Sequence, residues 1–150
     1  MKKNGMLIVM SFVLSFAFTS CGGGTTGNSP TKAVEKSYEY VIKKDYNKVA
    51  KMYAGEDGEQ LTEDDIAKLK AILPMAAKEF EKEGGIASVE VLSESISDLE
   101  KSKKYGYQHE HAKVQINRIF GNGEKEEDTI YLVKKDGNWF ILAKGPRIDF

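Results

Sequence analysis

Thr129-Ile130-Tyr131-Leu132-Val133-Lys134-Lys135-Asp136-Gly137-Asn138-Trp139-Phe140-Ile141 decides how this chain folds. Two runs of β-branched and aromatic residues flank an Asp-Gly pair, which suits the positive φ angles of a two-residue hairpin turn. That turn pairs Lys135 with Asn138, Leu132 with Ile141 and Ile130 with Ala143. Upstream, Gly121-Asn122-Gly123 joins the strand at 124–135 to a longer strand at 105–120. A three-residue turn there pairs Val114 with Ile130 and Ala112 with Leu132. Side chains alternate across a strand, so one face holds Ala112, Val114, Ile116, Ile130, Leu132, Trp139 and Ile141. The other holds Tyr131, Val133, Phe140 and Leu142, bordered by His109, His111, Lys113 and Gln115. A slip of one residue in the first turn would exchange the faces of the 105–120 strand. Further out, Val89 and Val91 begin an alternating strand over 87–97, a charged connector fills 98–104, and a last strand runs over 138–144.

The N-terminal half has a helical period instead. Ser29-Pro30 suits a helix start, and Val34, Tyr38, Val41 and Ile42 recur at helical spacing. Asp45 can cap a second, shorter helix with Tyr46, Val49, Ala50 and Tyr53 on one side. Thr62 and Asp65 form a capping box for a third, whose stripe is Ile66, Leu69, Leu73, Ala76, Ala77 and Phe80. Pro74 predicts a kink or break in that helix, and Gly84-Gly85 its end. Three helices followed by four antiparallel strands make an α+β domain over 30–150, with N-terminal helices packed on a four-stranded antiparallel sheet. Strands and helices do not alternate, which argues against a parallel nucleotide-binding sheet.

Residues 1–20 carry an address. Lys2 and Lys3 precede 13 uncharged residues, Met6 to Phe18, a length suited to a signal-peptide core and short for a bilayer span. Phe18-Thr19-Ser20-Cys21 resembles the lipobox of bacterial lipoproteins, with Phe18 where Leu is usual. The resemblance implies acylation of Cys21 as the mature N-terminus and a lipid anchor in the bacterial cell envelope, with the outer membrane expected. Gly22 to Asn28 reads as a tether, so that 21–29 links anchor and domain. Loss of residues 1–20 leaves 20 basic against 23 acidic side chains, a charge of −3 that gives no electrostatic pull towards anionic lipid. The near-neutral whole chain, −1, likewise argues against a nucleic-acid partner. One cysteine excludes an internal disulfide framework and a Cys-based zinc site.

The pattern from Ala112 to Ile141, together with Pro30 to Tyr53 and its Lys43-Lys44-Asp45-Tyr46 break, resembles a bacterial lipoprotein family of unassigned function. That family is similar to the nuclear-transport-factor-2-like (NTF2-like, cystatin-like) superfamily, near the lumazine-binding-type domains. The resemblance implies a curved sheet wrapped around a long first helix as a cone with a cavity, and it brings no fixed catalytic residue.

Candidate chemistry is sparse. Tyr38, Tyr53, Phe80 and Trp139 fall on inward faces and are expected to line a cavity. The apolar stretch of the inward strand face offers no acid or histidine, so a catalytic set is not expected there. Tyr131, Val133, Phe140 and Leu142 would make an apolar patch if bare, suiting a homodimer or envelope protein, with cover by residues 145–150 as the competing expectation. His109-Glu110-His111 in a strand would set two imidazoles about 7 Å apart, a weak metal candidate lacking a third ligand. The acidic run of Glu56, Asp57, Glu59, Glu63, Asp64 and Asp65 fits a helix N-terminus better than a calcium loop, and Glu124 to Asp128 reads as a solvated hairpin rim. No cofactor is expected, since neither a Gly-rich phosphate loop nor a His-Glu-x-x-His helix occurs. The function expected is a non-catalytic, lipid-anchored domain that binds a small apolar ligand or a protein partner. The alternative is a small isomerase- or dehydratase-like enzyme using the cone cavity.

Overall fold

The computed structural model describes residues 27–150, so Cys21 and the 1–20 address lie outside the described residues. Helix α1 (Pro30–Ile42) starts where Ser29 accepts a hydrogen bond from the Lys32 N–H. Helix α2 (Tyr46–Ala50) starts likewise on Asp45. Strand β1 (Tyr53–Ala54) follows, then α3 (Glu63–Glu81), opened by the Thr62–Asp65 capping box. The remainder is β2 (Ile86–Ser97), α4 (Leu99–Lys104), β3 (His111–Phe120), β4 (Lys125–Lys135) and β5 (Asn138–Leu142). The sheet order is β1-β5-β4-β3-β2.

Both hairpins have the expected register. Val114 pairs with Ile130 and Ala112 with Leu132 across β3 and β4. Lys135 pairs with Asn138 and Leu132 with Ile141 across β4 and β5. Asp136 and Gly137 both take positive φ, 50° and 78°, as the two-residue turn requires. The β4–β5 ladder stops before Ile130 and Ala143, because β5 ends at Leu142.

Four departures have identifiable causes. The sheet is five-stranded and mixed, not four-stranded and antiparallel. Helix α2 ends at Ala50, and Tyr53 and Ala54 leave it to pair parallel with Ile141 and Leu142, occupying the free edge of β5. The 98–104 connector is helical, since the Asp98 side chain accepts from the Lys101 N–H and caps α4. Residues 105–110 are not strand. Gly106 turns at φ 89°, and Asp57 accepts from the Gln108 and His109 N–H groups that a strand would offer a neighbour. Finally, α3 runs unbroken through Pro74. Lys70, whose carbonyl loses its partner to Pro74, lies on an exposed side of the helix, where water can supply the bond.

The core lies between α1 and the concave sheet face. Ala33 and Val34 meet Ala112, Val114, Ile116, Leu132, Trp139 and Ile141, with Tyr38, Tyr53, Val89, Val91 and Ile130 packed around them. Ala112, Val114, Ile116, Ile130, Leu132, Trp139 and Ile141 among them are the residues that period-two reading of the hairpins assigns inward. The opposite face carries Val133, Leu142 and Ala54, with Tyr131 and Phe140 beside them. Its own chain covers it. Phe150 packs on Tyr131 with ring centres 5.9 Å apart, Ile148 is buried, and the Arg147 N–H donates to the Tyr107 hydroxyl. Val133 is therefore fully buried within one copy, and Leu142 nearly so. Helix α3 differs from α1: it rests on α2, and none of its residues is buried.

Candidate functional site

The alternation that builds the concave face does not stop where its apolar residues stop. On β3, Ala112, Val114 and Ile116 are followed on the same side by Arg118. On β4, Leu132 and Ile130 are followed by Asp128 and Glu126. The ladder sets Arg118 opposite Glu126, and Asp128 opposite Ile116. Arg118 reaches Glu126 through Nη2 at 2.8 Å and Asp128 through Nη1 at 3.1 Å. Its side chain is only 14% exposed, against 56% for Glu126 and 32% for Asp128. The two carboxylates use the terminal nitrogens, and Nε is buried without a hydrogen-bond partner. An orphaned buried donor costs about 1–3 kcal/mol.

Two phenols complete the cluster. Tyr38 comes from the middle of α1, and its hydroxyl interacts with Arg118. Burial pushes its pKa up to about 12 and Asp128 pushes the same way, while Arg118 opposes both. Burial, then Asp128, also raises Tyr53, which β1 delivers from the sheet edge. Both phenols are therefore neutral donors at any physiological pH. Phe80, near the end of α3, lies 5.1 Å from the Arg118 guanidinium and 6.0 Å from the Phe120 ring. The result is an apolar concave face ending in two neutral hydroxyls, one fixed cation and two carboxylates. One cation against two anions leaves no positive excess, so the arrangement suits a neutral polar group better than an anion.

The four aromatic candidates are thus not one set. Tyr38, Tyr53 and Trp139 join the main core, with Trp139 buried in it, whereas Phe80 lies outside that cluster and reaches Arg118 and Phe120. Arg118, Asp128 and Glu126 were not expected at the site. The signal was present in the period-two pattern, continued two residues past Ile116 and Ile130. Reading 124–128 as rim alone hid the inward side of that rim.

The histidine pair does not form a joint metal site. His109 lies before β3 and its Nδ1 is 3.2 Å from Asp57 Oδ1. His111 is fully buried, with Nδ1 2.9 Å from the His109 carbonyl and Nε2 2.8 Å from the Glu56 carbonyl. Neither ring nitrogen of His111 is open to a metal. The acidic run is divided among local tasks. Asp65 closes the capping box, and the Thr62 hydroxyl and N–H hold its carboxyl below the usual range. Glu56 accepts from the Tyr107 hydroxyl at 2.6 Å. A separate cleft of about 300 Å³, bounded by Glu56, Tyr105, Tyr107, Lys144 and Arg147, lies away from the concave face.

The fold is similar to that of a solved structure from Campylobacter jejuni, a protein described as a candidate NTF2-like transpeptidase. The likeness covers 77% of this chain and 99% of that one, at a TM-score of 0.58 and 17% identity. At that identity it speaks for the architecture, and this chain adopts an NTF2-like fold. No protein-family model and no curated protein sequence matches the chain.

Proposed function

We propose that this protein is a lipid-anchored domain of the bacterial envelope, held through Cys21, whose NTF2-like body binds a small, largely apolar ligand at the polar end of the concave face, past the part that α1 covers. The ligand carries a neutral polar end, a carbonyl or a hydroxyl. The observation that supports this is the junction of the apolar face with Tyr38, Tyr53 and Arg118, where an acceptor can meet neutral hydroxyl donors beside a fixed cation. Binding is favoured over catalysis because Asp128 is tied to Arg118 and both phenols hold their protons firmly.

The test is native mass spectrometry of the acylated protein extracted from envelopes in mild detergent, with organic extraction of whatever it retains. A neutral, mostly apolar compound should be recovered from the wild type and lost from Tyr38→Phe. Equal recovery from both variants would refute the site. Labelling with a radioactive fatty acid that persists in Cys21→Ser would refute the anchor. An isomerase- or dehydratase-like enzyme is the second reading, supported by the placing of Asp128 beside a neutral phenol. Release of the bound compound in altered form by the wild type, and unaltered by Asp128→Asn, would favour it.

A further inference from the structure

Helix α3 carries a second apolar stripe that the domain leaves bare. Ile66, Leu69, Leu73, Ala77 and Phe80 recur at helical spacing and are half-buried towards the domain. Ile72 and Met75 lie well round the helix from that stripe, and they are 58% and 68% exposed. Ala71 and Ala76 beside them are exposed as well. Residues 71–77, Ala-Ile-Leu-Pro-Met-Ala-Ala, contain no polar side chain at all. A helix apolar on every side is normally covered on every side.

The bare stripe extends in both directions through charged residues. Asp65, Lys68, Ile72, Met75, Glu79 and Lys82 alternate in steps of three and four, the spacing of a two-helix seam. Their chemistry is self-complementary about the midpoint between Leu73 and Pro74. An antiparallel second copy sets Ile72 against Met75, Ala71 against Ala76, Lys68 against Glu79 and Asp65 against Lys82. A twofold axis makes each of these contacts twice. Parallel pairing would instead place every charge on its own kind. The present charge partners are neighbours on the same exposed surface, Lys68 with Asp65 Oδ1 and Lys82 with Glu79, and such pairs hold little energy against exchange, while Asp65 keeps Oδ2 on Thr62. The one like-charged meeting, Asp64 with Glu83, falls at the outer ends, where Asn122 donates to the Glu83 carboxylate at 2.9 Å.

We propose that α3 is a homodimerisation surface: a second copy of this chain docks antiparallel along Asp65, Lys68, Ile72, Met75, Glu79 and Lys82. The small alanines let the axes approach, Ile72 and Met75 form the dry centre, and the ion pairs fix the direction. A single seam along a 19-residue helix is modest beside a standard interface of about 1,600 Å², so association is in the micromolar range or weaker.

Sedimentation equilibrium of the full chain in density-matched detergent tests this. The wild type should form dimers, and Lys68→Glu or Glu79→Lys should each weaken association about tenfold, since each reversal spoils two pairs. An equimolar mixture of the two variants should regain wild-type affinity, because each reversed side chain then meets its complement on the other chain. Circular dichroism should be unchanged, as both positions are solvent-exposed. A wild type that is monomeric up to about 1 mM overturns the proposal. So does a dimer indifferent to both variants, which would lie on another surface, or a mixture no tighter than its components, which would deny the antiparallel register.

Discussion

Tyr38 offers a direct test of how the site is built. Its phenol ionises near pH 10.0 in the unfolded chain and only near about 12 in the folded one. Between those values the unfolded chain has already lost the proton that the folded one keeps. Stability contributed by the neutral phenol is therefore complete below pH 10 and disappears as pH rises through about 12. A tenfold difference in proton affinity between the two states is worth about 1.4 kcal/mol, so the full effect approaches 3 kcal/mol. By ~pH 11.5 about 2 kcal/mol of it should already be gone. The perturbation is Tyr38→Phe, which keeps the ring and deletes the ionisable oxygen. Urea unfolding of both proteins at ~pH 9 and ~pH 11.5 gives four free energies. The other tyrosines and the lysines titrate in both proteins and cancel in the double difference. The wild type should lose about 2 kcal/mol more than the variant over this interval. Equal losses would mean that Tyr38 is not held neutral by the packing of α1 on the sheet, and the account of the site would fail with it.

Three further outcomes follow from the same geometry. Arg118→Met, which keeps a long apolar stem against Phe80 and removes the orphaned Nε–H, should unfold in urea within about 1 kcal/mol of wild type, whereas Arg118→Ala should lose about 1–3 kcal/mol. Leu132→Ala, at a fully buried core position, should cost about 2–5 kcal/mol in the same assay, and a loss under 1 kcal/mol would deny the central place of β4. Gly145→Ala would put a methyl carbon 2.9 Å from the Tyr131 ring. It should cost about 1–3 kcal/mol and raise the binding of a dye that reports exposed apolar surface, as the 145–150 segment lifts from Val133 and Leu142.

What could be read from the sequence follows where the controlling interactions are local. Asp136-Gly137 and Gly121-Asn122-Gly123 set two hairpin registers, and those registers placed Ala112 to Ile141 on the correct face. Caps at Ser29, Asp45 and Thr62 set three helix starts. The misread elements depend on distant partners. Tyr53 and Ala54 become strand only because the edge of β5 is free to take them. Residues 105–110 turn in part because Asp57, some fifty positions away in sequence, holds the Gln108 and His109 N–H groups. The polar half of the site was legible in principle, since Arg118 and Asp128 follow the alternation of their strands. It was missed because charged residues near a hairpin resemble ordinary solvated rim until α1 and α3 are seen to lean over them.

The pairing of Tyr53 with Ile141 and of Ala54 with Leu142 also bears on when this chain can fold. Each pair closes a loop of 88 residues, and α1 needs β5 as well as β3 to bury Ala33 and Val34. Contacts between such distant positions form slowly, because the entropy of closing the loop must be lost before they return any energy. During synthesis α1 emerges first yet has no complete surface to pack on until β5 has been made. A nascent chain of this design stays open for most of its elongation. The export proposed above, through a machinery that threads unfolded polypeptide, would use that interval.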